Sequence, residues 1–534
     1  MPRSRLLVPA AILMLAGGPA SAQERQADNA PVAAPAATEA VQFPALSPEF
    51  AVKLASGEGK LSAADREDRA ALAKIYEARR SEPLWVTSTG LTPSAAAIVA
   101  EIGRAGDWGL DAAAFTLPAL SPSGAPELTL DQRIEADVAI SLAVLKYARH
   151  ARGGRAEPTS LSRNLDRKLS LLEPARVIDE AAASSTPAAY LRGLHPKHPQ
   201  FELLRQKYLA LRSGQPAPQA AAAAPAAAKA TPGKQKATGA TEPPNLRKLL
   251  VNMEQWRWMP ERLGELYVWV NIPEFTVRIV KGDRVIHTER AIVGKADTQT
   301  PVFSDEIEQV IFHPFWGVPD SIKRNEILPS LARGSSRVLE RHNLRIQRGG
   351  RDVDPASIDW ATTDIRNFHV YQPPGGGNVL GVVKFRFPNK HDVYMHDTPT
   401  KNLFNASVRT FSHGCMRIRE PQRLAEILLA EDKGWPASRV ASAITSGPQN
   451  NHVNLTQKFP VHMTYFTAWV DDDGKLKSFP DIYGHETRIA LGMEGKAHLI
   501  ARSEPPRPDV VGRLADTKTG GASKKDWINR VFDN

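Results

Sequence analysis

Two periodicities divide the chain. Up to about residue 212, apolar side chains recur at helical spacing. In EADVAISLAVLKYARHARGG (135–154), Val138, Leu142 and Leu145 follow a helical repeat, Ile140, Val144 and Tyr147 fill the adjacent face, and Gly153-Gly154 supplies a stop. The spacing predicts a helix buried on most sides. SAADREDRAALAKIYEARR and PSAAAIVAEIGRAGDWGLD predict two more amphipathic helices, so residues 45–212 read as an α-helical domain. His150, at the end of the long helix, reads as a cationic partner of the helix dipole and not as a ligand. Nothing else in this half forms a catalytic cluster.

After residue 244 the period becomes two. ELYVWVNIPEFTVRIVKGDRVIHTERAIVG predicts a strand over Tyr267–Asn271, a second with Phe275, Val277 and Ile279 on one face, a turn at Lys281-Gly282-Asp283 and a third strand, a β-meander. EQVIFHPFWGVP, VVKFRFP, DVYMHD and FPVHMTYFTAWVDDDGKL predict further strands, and PQRLAEILLAED a helix, giving a mostly β domain over 245–500. Between Pro319 and Gly381 the strand pattern lapses for about 60 residues, long enough for an inserted subdomain with helices of its own. Gly375-Gly376-Gly377 lacks the Lys-Ser/Thr of a phosphate loop and the spacing of a dinucleotide fingerprint, and reads as a turn.

Composition adds the connections. Residues 213–244, SGQPAPQAAAAAPAAAKATPGKQKATGATEPP, hold no aromatic, Leu, Ile or Val and read as an Ala/Pro linker; residues 23–44 read as a disordered Ala/Pro-rich segment, and 501–534 form a tail. The opening MPRSRLLVPAAILMLAGGPASAQ pairs a basic start with a short apolar run and Ala20-Ser21-Ala22, the pattern of a cleaved signal peptide over 1–22, and predicts an exported, periplasmic protein. The apolar run is shorter than a membrane span requires. The formal net charge of +10 falls to +8 without Arg3 and Arg5, which suits an anionic partner; export and the lack of an aromatic-rich basic motif argue against nucleic acid.

Candidate chemistry centres on FSHGCMRIREP (411–421), which holds Cys415, the single cysteine of 534 residues. One cysteine cannot form an internal disulfide, and in an exported chain a lone thiol avoids wrong pairing. His391, His396 and His413 precede it closely. A thiol attacks as thiolate, and an imidazole within reach can remove its proton and later deliver it to a leaving group, so a Cys/His pair suffices for acyl transfer. Two other readings stand beside this one: a buried small hydrophobe, and a zinc site drawn from the three histidines and Cys415, which no HExxH or paired CxxC supports.

YMHDTP…FSHGCMRI resembles the HDTP and SHGCxR signatures of the L,D-transpeptidases with a YkuD-fold catalytic domain. VNIPEFTVRIV, TPVFSDEIEQVIFHPFWGVPDSI, QPPGGGNVLGVVKFRFPN and, in the helical half, GLDAAAF are similar to the large YcbB-like branch, so the resemblance spans roughly 50–500. It implies an α+β multidomain protein: an N-terminal α-helical scaffold domain, then a mostly β YkuD-like catalytic domain whose insertion caps the groove. It implies a cysteine acyltransferase of peptidoglycan biosynthesis; no cofactor is expected, and the absence of a recognisable ligand set beyond the residues that Cys/His chemistry already needs predicts that no metal takes part. Cys415 would form a thioester at the third residue of a stem peptide and expel D-alanine, His396 would be the general base and acid, and Tyr394 with the Cys415 backbone N–H would hold the oxyanion. Ser412, His413, Gly414 and Arg417 complete the signature, Gly414 allowing a close turn and Arg417 either binding a substrate carboxylate or bracing the loop. Trp316 and Tyr371 are open between groove and core. Donor and acceptor stem peptides are the implied partners and carbapenems the implied inhibitors; an L,D-carboxypeptidase, an enzyme attaching envelope proteins to the wall and a non-catalytic wall-binding scaffold remain alternatives. The branch's small peptidoglycan-binding module has no counterpart here, since the linker stands in its place.

Overall fold

The computed structural model describes Leu54 and residues 61–79, 83–120, 127–214 and 246–500. The expected signal peptide, the segment 23–44, the linker from residue 215 and the tail 501–534 lie outside the described residues.

The first half is built from α1 (Ala63–Ala78), α2 (Pro93–Gly103), α3 (Leu130–Gly153), α4 (Pro174–Ala183), α5 (Pro187–Gly193) and α6 (Pro199–Ser213). Side chains start the first three: Ser62 accepts from Asp65 N–H, Thr92 from Ala95 N–H, and Thr129 and Gln132 form a reciprocal capping box ahead of α3. Each such cap stabilises its helix by about 1 kcal/mol. The long helix is buried on most sides, as its pattern predicts: Ile140, Val144 and Tyr147 pack with Tyr76, Ile98, Ile102 and Ile178 in one core. His150 departs from expectation. It is buried against Phe115, and burial, reinforced by Arg149 and Lys146, lowers its pKa to about 3, so a neutral ring stands where a cationic dipole partner was expected.

After α7 (Leu246–Arg257) come β1 (Leu266–Asn271), β2 (Thr276–Lys281) and β3 (Arg284–Gly294), the expected meander, followed by β4 (Ser304–Phe312). Every residue of β1 is buried. Val268 and Val270 face the barrel core, whereas Tyr267 and Trp269 face an aromatic layer of Phe201 on α6, Trp256 on α7 and Phe466.

The insertion is a small subdomain with its own core of Ile322, Ile327, Leu331, Ile346, Trp360 and Phe368. It is not free of strands. β5 (Trp316–Gly317), β6 (Arg345–Arg348), β7 (Arg351–Asp352) and β8 (His369–Gln372) form a sheet in the order β5-β8-β6-β7. Strands of two to four residues are too short to print an alternation in sequence. Its helical part starts at Asp320–Ile322, widens into a π-helical turn over Lys323–Ile327 and resumes over Leu328–Leu331.

The chain returns through β9 (Val383–Arg386), β10 (Met395–His396), β11 (Thr410–Ser412), β12 (Met416–Ile418), the helix α8 (Pro421–Lys433) and β13 (Asn451–Thr464). The large sheet runs β11-β3-β12-β10-β9-β4-β13-β1-β2, and β2 also pairs with β3, closing the ring into a barrel. A helical half followed by a mostly β barrel with a cap is the fold class expected above. The halves share hydrophobic packing: Leu161 and Leu165 enter the barrel core, Leu165 bridges Val302, and buried Arg167 donates to Ser304 Oγ at 2.6 Å and to the Met463 carbonyl at 2.5 Å.

Candidate active site

Two short parallel strands place the motif residues together. β10 and β12 pair with Met395 opposite Met416 and His396 opposite Arg417, and Met416 N–H donates to the Tyr394 carbonyl. Because side chains alternate along a strand, Tyr394, His396, Cys415 and Arg417 share one face. That face walls a cleft of about 670 Å³ between barrel and cap, which Ser412, His413, Gly414 and Trp316 also line. Tyr371 does not; it lies in the cap sheet, near-parallel to the His369 ring and within hydrogen-bonding distance of Gln347. Of the two aromatics left open between groove and core, Trp316 is both and Tyr371 is cap structure.

The loop carrying the thiol is held by the Ser412 hydroxyl, which donates to the Cys415 carbonyl at 2.6 Å and accepts from Gly414 N–H at 3.2 Å. Thr300 Oγ donates to the Gly414 carbonyl at 2.7 Å. Gly414 has φ +116°, a conformation costly for any residue with a Cβ, while a Cβ there would meet nothing closer than 3.5 Å. Conformation, not crowding, demands the glycine.

Cys415 is half-buried. Its surroundings desolvate it and push the thiol up to about 11; the Tyr394 backbone and hydroxyl, which donate toward sulfur, and the Lys384 ammonium pull the other way without prevailing. Cys415 therefore rests as the neutral thiol. Burial, then the Arg417 guanidinium, lower His396 to about 3. Its Nδ1 donates to the Asp397 carbonyl at 2.5 Å, which sets the tautomer and leaves Nε2 as the basic nitrogen. The edge of one of the Tyr394 and His396 rings meets the face of the other at 5.6 Å between centroids. Arg417 is 7% exposed, donates to Thr400 Oγ at 3.4 Å, and its Nε has no hydrogen-bond partner among the described residues.

His391 also lines the cleft, and its Nε2 lies 2.8 Å from Asp166 Oδ2 of the helical half. Among the described residues no group of three or more His, Cys, Asp and Glu side chains is placed to hold a metal ion. Sequence reasoning missed several contributors. Lys384 lies 3.7 Å from the Tyr394 ring centroid, Arg163 and Asn164 bring the helical half to the cleft, and Glu326 of the cap faces His413 at 3.7 Å. Burial raises Glu326 to about 8 and lowers His413 to about 4, so both are uncharged at neutral pH. For Glu326 the sequence offered little signal, since it is one of three charged residues in the helical stretch IKRNEILPSL.

Residues 265–438 match the L,D-transpeptidase catalytic domain, and residues 70–207 match the Scaffold domain. The chain carries an L,D-transpeptidase catalytic domain. Over 245 residues it is 31% identical to a Haemophilus influenzae protein provisionally named an L,D-transpeptidase, an overlap of 46% of this chain and 49% of that protein, so it spans about half the length of that relative. Two solved structures overlap 38% of the chain: an L,D-transpeptidase from Mycobacterium smegmatis, at 13% identity, 58% of its length and TM-score 0.18, and an L,D-transpeptidase in complex with imipenem, at 16% identity, 59% of its length and TM-score 0.16. Both overlaps are too low to bear on the fold. The matched L,D-transpeptidase segment includes all the motif residues, from Tyr394 to Arg417, together with the entire cap.

Proposed function

We propose that the protein is a periplasmic L,D-transpeptidase that links the third residues of neighbouring peptidoglycan stem peptides through a thioester on Cys415. The observation that carries this reading is the shared face of Tyr394, His396, Cys415 and Arg417 inside an L,D-transpeptidase domain. The leader-like N-terminus supports export, and the positive net charge suits an anionic wall.

The chemistry follows from the resting protonation. A thiol near 11 and an imidazole near 3 do not form an ion pair in the empty cleft, so proton transfer accompanies attack. The donor's terminal carboxylate sits against Arg417, offsetting the positive field that depresses His396. Cys415 sulfur attacks the carbonyl of the third residue as its proton passes to His396 Nε2. The oxyanion takes hydrogen bonds from the Tyr394 hydroxyl and the Cys415 backbone N–H. Collapse breaks the C–N bond, and the imidazolium, made more acidic by Arg417, protonates the departing D-alanine amine. An acceptor amine then attacks the thioester, one of its protons returns through His396 to the leaving sulfur, and the new amide is the cross-link. A carbapenem, with its strained amide, would acylate the same sulfur.

Purified protein given a tetrapeptide donor and a diaminopimelate-type acceptor should release D-alanine and form a dimer joined third residue to third residue. Intact-mass measurement should find one acyl adduct on the peptide TFSHGCMR. Cys415→Ala should do none of these, and dimer formation by that variant at the wild-type rate refutes the reading. Sequencing the exported protein's N-terminus tests the expected cleavage after Ala22.

A further inference from the structure

The thioester cycle leaves one proton unassigned. An acceptor amine reaches the enzyme as R–NH3+, and the balanced second half-reaction is thioester plus R–NH3+ giving amide, thiol and one free H+. His396 carries one proton from the amine to the departing sulfur. The other must leave the ammonium before its nitrogen can attack, and neither His396 nor Tyr394 is free to take it.

Glu326 stands where such a proton could go. It sits in the π-helical turn Lys323–Ile327, the kind of local widening of a helix that recurs at functional sites. Its side chain is 1% exposed yet lines the cleft, and neither carboxyl oxygen has a hydrogen-bond partner among the described residues. A buried polar group left open in this way costs stability, and the cap could have replaced it with an apolar side chain of the same length. His413 Nε2 lies 3.7 Å from Glu326 Oε1, two residues from the nucleophile, and Lys295 is the cation felt by both. Glu326 on the cap thus lines the same cleft as Cys415, His396 and Arg417 on the barrel.

We propose that Glu326 is the acceptor-amine site: the incoming ammonium drives the carboxyl's own proton to solvent, pairs with the carboxylate so formed and then gives it one proton, so that an amine is selected over water as the group that resolves the thioester. This rests on the reading of Cys415 as an acylated nucleophile. The chemistry of the pocket fits it. A carboxyl held near 8 takes a proton from an alkyl ammonium far more readily than an ordinary carboxylate, which would keep the amine as an unreactive ammonium. Water brings no charge and gains nothing from Glu326.

The test separates resolution of the thioester from its formation. With a tetrapeptide donor and increasing acceptor, mass spectrometry counts cross-linked dimer against hydrolysed tripeptide per D-alanine released. Glu326→Gln should lower the dimer-to-tripeptide ratio by about tenfold or more and raise the KM for acceptor, with Glu326→Asp between the two. In the wild-type chain, an acceptor whose amine is acetylated should compete poorly with the free amine, a measurement independent of any variant's folding. An unchanged ratio and acceptor KM in Glu326→Gln, or equal competition by the acetylated acceptor, overturns the assignment. A wild-type chain that never acylates Cys415 overturns the transpeptidase reading and the acceptor site with it.

Discussion

The Asp397 carboxylate occupies the space that a side chain at Gly381 would fill. A Cβ built on Gly381 would overlap Asp397 Oδ2, and Gly381 itself has φ +60°. The carboxylate accepts from Val382 N–H at 3.0 Å and pairs with Lys401, while the carbonyl of the same residue fixes His396 Nδ1. The last residue of the insertion thus holds the residue that orients the proposed base.

Gly381→Ala should therefore act on both stability and chemistry. The strained backbone and the displaced carboxylate should lower unfolding free energy by about 2 kcal/mol or more. Acylation of Cys415 by a carbapenem should slow in the fraction that remains folded, because His396 loses its anchor. Denaturant unfolding together with a time course of the adduct mass checks this. Wild-type behaviour in both would mean that Asp397 is not an anchor.

The thiol's protonation makes a second prediction. With Cys415 near 11, only about one molecule in ten thousand carries thiolate at pH 7. Alkylation by iodoacetamide should rise close to tenfold per pH unit from about pH 6 to pH 9, with no plateau, since the reagent leaves Arg417 un-neutralised. A plateau below pH 8 would show an ionised thiol in the empty cleft and would replace concerted attack with a preformed ion pair.

These predictions rest on features of unequal visibility in the sequence. β1 to β3 were legible because Val277 and Ile279 alternate with Thr276 and Arg278 over a strand long enough to show it, although Phe275, expected on the same strand, precedes it with φ +58°. The motif residues were legible because Cys415, His413 and Arg417 share one short loop and strand, and Tyr394 and His396 another. The cap sheet was not, since each of its strands ends before a pattern forms. The neutrality of His150 was hidden because its charge depends on Phe115 and on burial, not on its place in the helix. Glu326 and Asn164 reach the cleft only through tertiary packing, from segments whose local pattern reads as ordinary helix and loop. What periodicity cannot carry is contact between elements distant in sequence.

Glu326 also leaves a mark on stability. Its carboxyl binds a proton more tightly in the folded chain, near 8, than at the ordinary 4.5. Between those values the unfolded chain holds fewer protons, so the group's contribution is complete below about pH 4.5 and is lost as pH rises toward 8, by up to about 1.4 kcal/mol per unit. Glu326→Gln lacks this dependence. Its melting temperature relative to wild type should climb from pH 5 to pH 8, as read by calorimetry across that range. A flat difference would place an ionised carboxylate in the folded cap.

Tyr394→Phe isolates the proposed oxyanion donor from the packing around it. The Lys384 ammonium over the ring and the His396 contact both depend on the aromatic ring, which phenylalanine keeps. The hydroxyl is the part removed. Burial and the nearby Cys415 hold that hydroxyl well above the usual phenol range, so it remains a donor throughout the working pH range. Loss of one donor to a developing oxyanion costs about 100 to 1,000-fold. Acylation of Cys415 by a tetrapeptide donor should fall by about that factor, with the melting temperature little changed and KM for the donor nearly constant, because the lost interaction belongs to the transition state. A rise in KM at unchanged kcat would make Tyr394 a substrate-binding residue, and an undiminished rate would leave the oxyanion to backbone donors alone.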